Sequence, residues 1–149
     1  MPNATVPASG DLPVSGELRD TLRWATRSLR EIYGSRLRRL VLFGSQARGD
    51  AGPESDVDLL VVLEGPISSY DEAKRTSRVA THAAAYRDTA LSFVHMSEET
   101  FDEGRSPLVD PVQEEGIDLL GLFAESTFSE SPAEEGTGKP ESTSNTPTR

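Results

Sequence analysis

The chain has 149 residues, a length that suits one domain built around a single hydrophobic core. Its 25 acidic residues outnumber the 15 basic ones and set the net charge at −10, which argues against general binding to long nucleic acids because such binding needs clustered positive charge. The sequence contains no cysteine, so disulfides and thiolate metal sites are excluded.

The two ends of the chain differ in composition from its middle. Residues 1–14 are rich in Pro, Ala, Gly and Ser and predict a flexible leader. Residues 124–149 form an acidic stretch of Ser, Thr, Glu and Pro with too few apolar groups to offset the entropy of ordering, which predicts a disordered tail. We expect one folded domain at 15–123. The chain shows no export signal and no apolar run of the roughly 20 residues that span a bilayer, which predicts a cytoplasmic protein without a membrane segment.

The first predicted element is an amphipathic helix over residues 17–33. Ser15 is placed to cap its N-terminus, and Gly34 is placed to end it. Its apolar residues recur at helical spacing and are Leu18, Leu22, Ala25, Leu29 and Ile32. Its other face carries a basic stripe made of Arg19, Arg23, Arg27 and Arg30. We interpret this stripe as a solvated helix face rather than a surface for an acidic partner or a nucleotide, because charge runs usually face water.

Apolar runs of strand length and helical patterns alternate along the rest of the domain. The predicted strands are at 36–43, 57–63, 89–96 and, as a short last strand, 117–120. The further predicted helices are at 70–86, at 97–101 and between Ser106 and Gly116. The first two strands are apolar on both faces, as expected for central strands. This pattern predicts an α/β (α+β) fold in which a small mixed β-sheet of three to four strands packs against helices.

Two aspartates open the second predicted strand. Asp56 and Asp58 are two residues apart and therefore project from the same face of that strand. Two carboxylates about 6.5 Å apart repel each other by about 2.5 kcal/mol at an effective dielectric constant of 20, and a bound divalent cation converts this repulsion into attraction. Ligands that are all oxygen favour Mg²⁺ or Mn²⁺. The alternative, that the pair merely begins a strand, is disfavoured because aspartate is rare in strands and costly beside an apolar run.

A turn that suits phosphate follows the first predicted strand. Gly44 lets the backbone approach a ligand closely, and Ser45 opens a short helical turn whose free N–H groups can bind an anion. Arg48 has two equally weighted interpretations: it reaches the phosphates of a nucleotide, or it forms an ion pair with Asp50. The predicted anion site and the predicted metal site are thus separated by ten residues of sequence.

This combination of Gly44-Ser45, ten residues, and Asp56-x-Asp58 resembles the signature of the minimal nucleotidyltransferases in the DNA polymerase β-like superfamily. The resemblance covers roughly residues 17–122. It implies that Asp56 and Asp58 hold two Mg²⁺ ions, with Mn²⁺ as a substitute, while Gly44 and Ser45 hold the β- and γ-phosphates of ATP or another nucleoside triphosphate. The implied reaction moves a nucleoside monophosphate, AMP by our interpretation, to an acceptor hydroxyl and releases pyrophosphate.

One position departs from the family pattern. The family's third catalytic carboxylate comes from the strand predicted at 89–96, and alignment by eye places Ser92 there. Asp88 lies just before this strand and Glu98 beyond its far end. A serine is a weaker metal ligand and cannot serve as a base, so two hypotheses follow. The chain is a slow enzyme, or it is an inactive fold that serves as a nucleotide-binding or regulatory interaction module.

The resemblance also suggests the kind of partner. Small stand-alone members of the family resemble antitoxins that pair with an all-helical HEPN protein, and some of them add AMP to that partner. Other members modify small molecules such as aminoglycosides and carry an extra helical domain for this acceptor. The predicted folded part ends near Phe123 and leaves no room for such a domain. We therefore expect a protein acceptor of the HEPN type, with drug modification as the alternative.

Overall fold

The structure is a computed structural model that describes residues 12–52 and 54–124. Its strands are β1 (Leu37–Phe43), β2 (Val57–Leu63), β3 (Leu91–Ser97) and β4 (Ile117–Asp118). Its α-helices are α1 (Gly16–Tyr33), α2 (Ser45–Arg48), α3 (Ser69–Tyr86), α4 (Glu98–Asp102), α5 (Val109–Glu115) and α6 (Leu119–Leu122). The prediction of an α/β fold with a small mixed sheet is confirmed.

The four strands form one sheet in the order β3-β2-β1-β4. The β1–β2 and β1–β4 pairs are antiparallel, and β2 and β3 are parallel because α3 crosses over between them. The central strands β1 and β2 are apolar on both faces because helices cover the sheet from two sides, as the sequence predicted. β3 and β4 are the edge strands.

Each face of the sheet has its own core. On the first face, Leu59, Val61 and Leu63 of β2 pack in the cluster that includes the buried residues of α1 and Val79 of α3. On the second face, the alternate residues Leu60 and Val62 pack with residues of α4 and α5. By the same alternation Asp58, the second residue of β2, belongs to the second face.

The first helix begins and ends where the sequence predicted. The Ser15 Oγ accepts a hydrogen bond of 3.1 Å from the backbone N–H of Leu18, and Gly34 ends the helix with φ of +55°. The interpretation of its basic stripe as a solvated face is wrong for at least two members. The Arg23 guanidinium lies over the ring of Phe123, 5.2 Å from its centroid, and the Arg30 Nη2 donates to the carbonyl oxygen of Leu120 at 3.0 Å. Arg23 and Arg30 therefore pack against the last residues of the domain.

The C-terminal elements differ from the prediction. The last strand was expected over four residues, but β4 has two, because the side chain of Asp118 accepts a hydrogen bond of 3.1 Å from the N–H of Leu120 and caps α6. The helix α5 begins at Val109, later than predicted. Pro111 therefore lies in its first turn, where backbone N–H groups make no hydrogen bond within the helix and proline is tolerated.

The two predicted flexible ends lie almost wholly outside the described residues. Leu12, inside the predicted leader, is buried against the first core. Along the described part of the chain, no helix combines the length and apolar character needed to cross a membrane.

Candidate active site

The predicted turn and the aspartate pair meet at one end of the sheet. Phe43, the last residue of β1, pairs with Asp58 on β2, so Gly44 comes next to the Asp58 side chain. A Cβ atom built on Gly44 would lie 2.5 Å from Oδ2 of Asp58, and the φ of Gly44 is +79°. Glycine is therefore required at position 44 for two reasons. Its backbone conformation is unfavourable for other residues, and a side chain there would collide with the Asp58 carboxylate.

The two aspartates differ in environment. Asp58 is partly buried and Asp56 is exposed just before β2. Burial raises the pKa of the Asp58 carboxyl, and the negative charge of Asp56 raises it further. This arrangement fits a divalent cation, because a positive charge between the two carboxylates offsets both effects.

The part of the chain that the structure describes contains no group of three or more His, Asp or Glu side chains that could hold a metal ion. The aspartate pair therefore fits Mg²⁺ as a two-carboxylate clamp, and oxygens of the substrate or water would complete the six positions that Mg²⁺ prefers.

Ser45 opens the helix α2, as the sequence predicted. This helix has four residues, and the carbonyl oxygen of Gly44 accepts the backbone N–H groups of Ala47 and Arg48 at 3.1 Å each. The N–H groups of Ser45 and Gln46 come first in the helix and have no preceding carbonyl within it. The assignment of the β- and γ-phosphates to Gly44 and Ser45 stays a prediction.

Arg48 forms ion pairs on the surface. Its Nε lies 3.2 Å from Oδ2 of Asp50, and its Nη1 lies 3.2 Å from Oε1 of Glu115 on α5. The hydrogen bond with Glu115, and then the one with Asp50, raises the pKa of the guanidinium. The ion pair predicted with Asp50 is present, and contact with a phosphate stays a prediction. Glu115 was not foreseen, since nothing in the sequence marks a residue 67 positions away as a neighbour of Arg48.

Ser92 lies beside Asp58. In the parallel pairing of β2 with β3, Ser92 is the register partner of Asp58, so both side chains project from the second face. The row Phe43, Asp58 and Ser92 therefore runs across three strands. Ser92 thus lies next to Asp58, at the position that the family resemblance gives to a third carboxylate.

Neither nearby acid replaces the missing carboxylate in the structure. Glu98 follows the far end of β3, roughly 20 Å from Ser92 along the strand, and its Oε1 lies 3.5 Å from Nε of Arg38. Asp88 is exposed in the loop before β3 and has φ of +52°.

A cavity of about 930 Å³ lies beside this end of the sheet rather than at the aspartates. Ser55 and Val57, which flank Asp56, line it, but Asp56 and Asp58 do not. Since Val57 belongs to the first core, the cavity lies on the first face, and by alternation along β2 the Asp58 carboxylate lies on the second. We take the carboxylates as the chemical centre because their charge and spacing, rather than the volume beside them, suit a metal.

Comparison with known proteins shows the family. The profile of the nucleotidyltransferase domain matches residues 22–104, which include every candidate residue of the site. A relative from Methanocaldococcus jannaschii, named "putative protein adenylyltransferase", is 25% identical over 103 residues, or 69% of this chain and 99% of that protein.

Solved structures share the fold. One chain of a toxin–antitoxin complex with AMP-PNP aligns with a TM-score of 0.50 and 21% identity, over 77% of this chain and 86% of that one. A chain from a complex of the tri-AMPylated Shewanella oneidensis HEPN toxin with its MNT antitoxin aligns with a TM-score of 0.43 and 19% identity, over 74% of this chain and 83% of that one. The family match confirms the resemblance carried by the glycine-serine turn and the aspartate pair, and the chain belongs to the nucleotidyltransferase domain family.

Proposed function

We propose that this chain transfers AMP from ATP, with Mg²⁺, to a hydroxyl of a partner protein. The observation that carries the proposal is the close approach of the Gly44 backbone to the Asp58 carboxylate, which leaves no room for a Cβ atom, next to the exposed Asp56. This close approach would put an anion-binding turn and a metal clamp within reach of one triphosphate. The adenylyltransferase name of the M. jannaschii relative and the AMP-PNP in the toxin–antitoxin complex support the choice of AMP.

The chain's own residues would mainly bind and orient. Gly44 and Ser45 would hold the β- and γ-phosphates through backbone N–H groups, and Arg48 would exchange an exposed ion pair for a phosphate oxygen. Asp56 and Asp58 would hold Mg²⁺, which when bound neutralises the triphosphate and stabilises the attacking and leaving oxygens. The acceptor oxygen bonds to the α-phosphorus, the bond to the bridging oxygen of the β-phosphate breaks, pyrophosphate leaves, and the hydroxyl proton passes to water.

A separate protein is the acceptor that we propose, because the M. jannaschii relative is named a protein adenylyltransferase. The described residues themselves form a single sheet with its helices. We propose a HEPN-type partner in the cytoplasm, as in the antitoxins that the motif resembles. The S. oneidensis complex gives a precedent for such a pair.

A second candidate function rests on Ser92. Because serine stands beside Asp58 where a carboxylate would bind the metal, the chain would bind nucleotide with Mg²⁺ and act as a regulatory module without transfer. The loss of one metal-holding acid costs more in the transition state than in ground-state binding.

One assay separates the two functions. The full chain, with candidate helical partners or with free aminoglycosides, is incubated with each α-labelled nucleoside triphosphate and Mg²⁺ or Mn²⁺. We expect slow labelling of a protein partner, with ATP as the preferred donor. Label on free drug alone would contradict the protein acceptor. Nucleotide binding without label on any acceptor would favour the regulatory module.

Ser92→Asp is expected to accelerate AMP transfer by about tenfold or more, which corresponds to about 1.4 kcal/mol. The new carboxylate would stand beside Asp58 and anchor Mg²⁺ near the attacking oxygen. Single-turnover rates measure the effect, and Ser92→Asn is the control because it has the same shape without the charge. An equal gain in both variants would show that charge at this position is not the cause.

Gly44→Ala is expected to destroy Mg²⁺-dependent ATP binding. The added Cβ would collide with the Asp58 carboxylate and strain a residue with φ of +79°. Gly65→Ala is the matched control, because Gly65 has φ of +85° with open space around it. Calorimetric titration of both variants should show lost affinity in Gly44→Ala only, although strain lowers the melting temperature of each. Equal affinities would contradict the assigned role of the contact.

A further inference from the structure

The outer edge of the sheet next to the candidate active site is formed by β3. β3 has seven residues, and in the part of the chain that the structure describes it pairs only with β2, so no described strand lies along the other side of its backbone. Exposed edges of this kind are usually protected by charged residues or proline. β3 has neither, and burial lowers the pKa of its one titratable side chain, His95, which disfavours the charged form of the imidazole.

One hydrogen bond shows which residues of β3 direct their backbone N–H and C=O groups toward β2. The N–H of Val57 donates to the carbonyl oxygen of Ala90 at 2.9 Å, so the carbonyl group of Ala90 points toward β2. Since backbone groups alternate along a parallel pair, Ser92 and Val94 also bond toward β2. Leu91, Phe93 and His95 therefore direct their N–H and C=O groups to the open side. Among the described residues, no other strand receives them.

The side chains of β3 divide in the same alternation. Leu91 and Phe93 pack against the first core. Ser92 and Val94 face the second side, where Val94 is 36% exposed and is one of four exposed large hydrophobic residues in the described chain. An added strand would find, at the edge, backbone hydrogen-bonding groups that no described strand uses, and an apolar contact at Val94.

We propose that the free edge of β3 binds an extended segment of the acceptor protein as an added strand, in which the residue across from Ser92 presents its hydroxyl to Asp56 and Asp58. The proposal rests on the proposed function and names how its acceptor is held. The row Phe43, Asp58 and Ser92 ends at this edge, and an added strand continues it.

The spacing of strands sets the reach that the acceptor side chain needs. Neighbouring strands lie about 4.8 Å apart, so a residue opposite Ser92 is roughly 10 Å from the Cα atom of Asp58. A long side chain on the added strand can reach Asp58 if the residue between them, at position 92, is small. Ser92 is small and leaves this space empty, so the serine in place of the family's carboxylate would admit the acceptor side chain.

Hydrogen exchange tests the edge directly. The ¹⁵N-labelled full chain is mixed with a capped heptapeptide of alternating Thr and Val with a central Tyr, at millimolar concentration, with Mg²⁺ and ATP. We expect the outward amides of Leu91, Phe93 and His95 to exchange at least about tenfold more slowly with the peptide, while the already bonded amides of Ser92 and Val94 change little. The same peptide with N-methyl groups on alternate backbone nitrogens is the control and should protect none of them.

A paired variant tests the surface from the protein side. Val94→Lys puts a charge beside the edge, and Val94→Thr keeps the branched shape without charge. We expect Val94→Lys to reduce both the protection and the α-phosphate label on the peptide at least about fivefold, with ATP binding unchanged, whereas Val94→Thr keeps both.

The outcomes separate this proposal from the proposed function. Peptide labelling without protection of the outward amides would overturn edge binding and leave AMP transfer standing. Protection without labelling of any acceptor would support edge pairing and contradict the transfer function. Protection that rises with protein concentration in the absence of peptide would mean that a second copy occupies the edge, and it would overturn the proposal. The absence of both protection and labelling would also overturn it.

Discussion

Asp58→Asn is expected to abolish AMP transfer and, at the same time, to stabilise the metal-free protein at neutral pH. The loss of transfer should reach about 10³-fold, or roughly 4 kcal/mol, because the amide cannot offer the negative oxygen that holds Mg²⁺ between Asp58 and Asp56. The gain in stability follows from the raised pKa of the Asp58 carboxyl, caused by its burial and by the charge of Asp56.

The sign of the stability effect comes from proton linkage. A carboxyl whose pKa is raised by folding binds its proton more tightly in the folded state, so its contribution to stability is present below the ordinary pKa of 3.8 and is lost as the pH rises through the raised value. At neutral pH the ionised Asp58 therefore opposes folding until a cation binds. Asparagine removes this cost.

Thermal unfolding with and without Mg²⁺ and ATP measures both effects of Asp58→Asn. The metal-free variant should melt above the wild type, and the shift on addition of Mg²⁺ and ATP should disappear. Asp102→Asn is the control, since Asp102 is exposed on α4 and lies outside the site. A variant that keeps the Mg²⁺-dependent shift would contradict the metal-site assignment.

The sequence predicted the local elements of the site well because each had a local cause. The strand at 57–63 matches β2 in full, since its apolar run has abrupt polar ends. Ser15 and Gly34 act where capping rules place them, because those rules depend on a few neighbouring residues. The placement of Ser92 beside Asp58 also agrees with the register of β2 and β3.

What the sequence could not predict depends on contacts between distant residues. The ion pair of Arg48 with Glu115 joins α2 to α5, and the packing of Arg23 on Phe123 joins α1 to the end of the domain. Arg23 was interpreted as part of a solvated helix face, and for Arg48 only Asp50 was foreseen as an ion-pair partner, because a charge pattern carries no information about which distant element will lie beside it. The helix α6 was not predicted, for a different reason: the side chain of Asp118 caps a helix and so ends the strand that was expected to continue to Leu120.

Glu72→Ala is expected to cost about 3 kcal/mol of folding stability, a large part of the 5–15 kcal/mol that holds a typical domain. Glu72 is only 2% exposed, although nothing in the α3 sequence distinguished it from a surface glutamate. Its Oε1 accepts hydrogen bonds from the Tyr33 hydroxyl at 2.9 Å and from Nη1 of Arg75 at 3.0 Å. Arg36 adds a third contact, with its Nη2 3.7 Å from Oε2. Truncation leaves the buried Tyr33 hydroxyl without its acceptor and opens a void between α1 and α3.

The pH dependence of Glu72→Gln distinguishes charge from shape. Burial alone would raise the pKa of the Glu72 carboxyl, but the hydrogen bonds from Tyr33 and Arg75 and the charges of Arg75 and Arg36 outweigh it and lower that pKa. The ionised group therefore stabilises the fold above its ordinary pKa of 4.5, and this contribution is lost as the pH falls through the lowered value. Urea unfolding at neutral pH should show Glu72→Gln less stable than the wild type, and the gap should close in acid. A gap that stays constant down to the lowest pH would mean that the glutamate acts by shape, because the amide keeps the size and one acceptor oxygen but not the charge that the two arginines require.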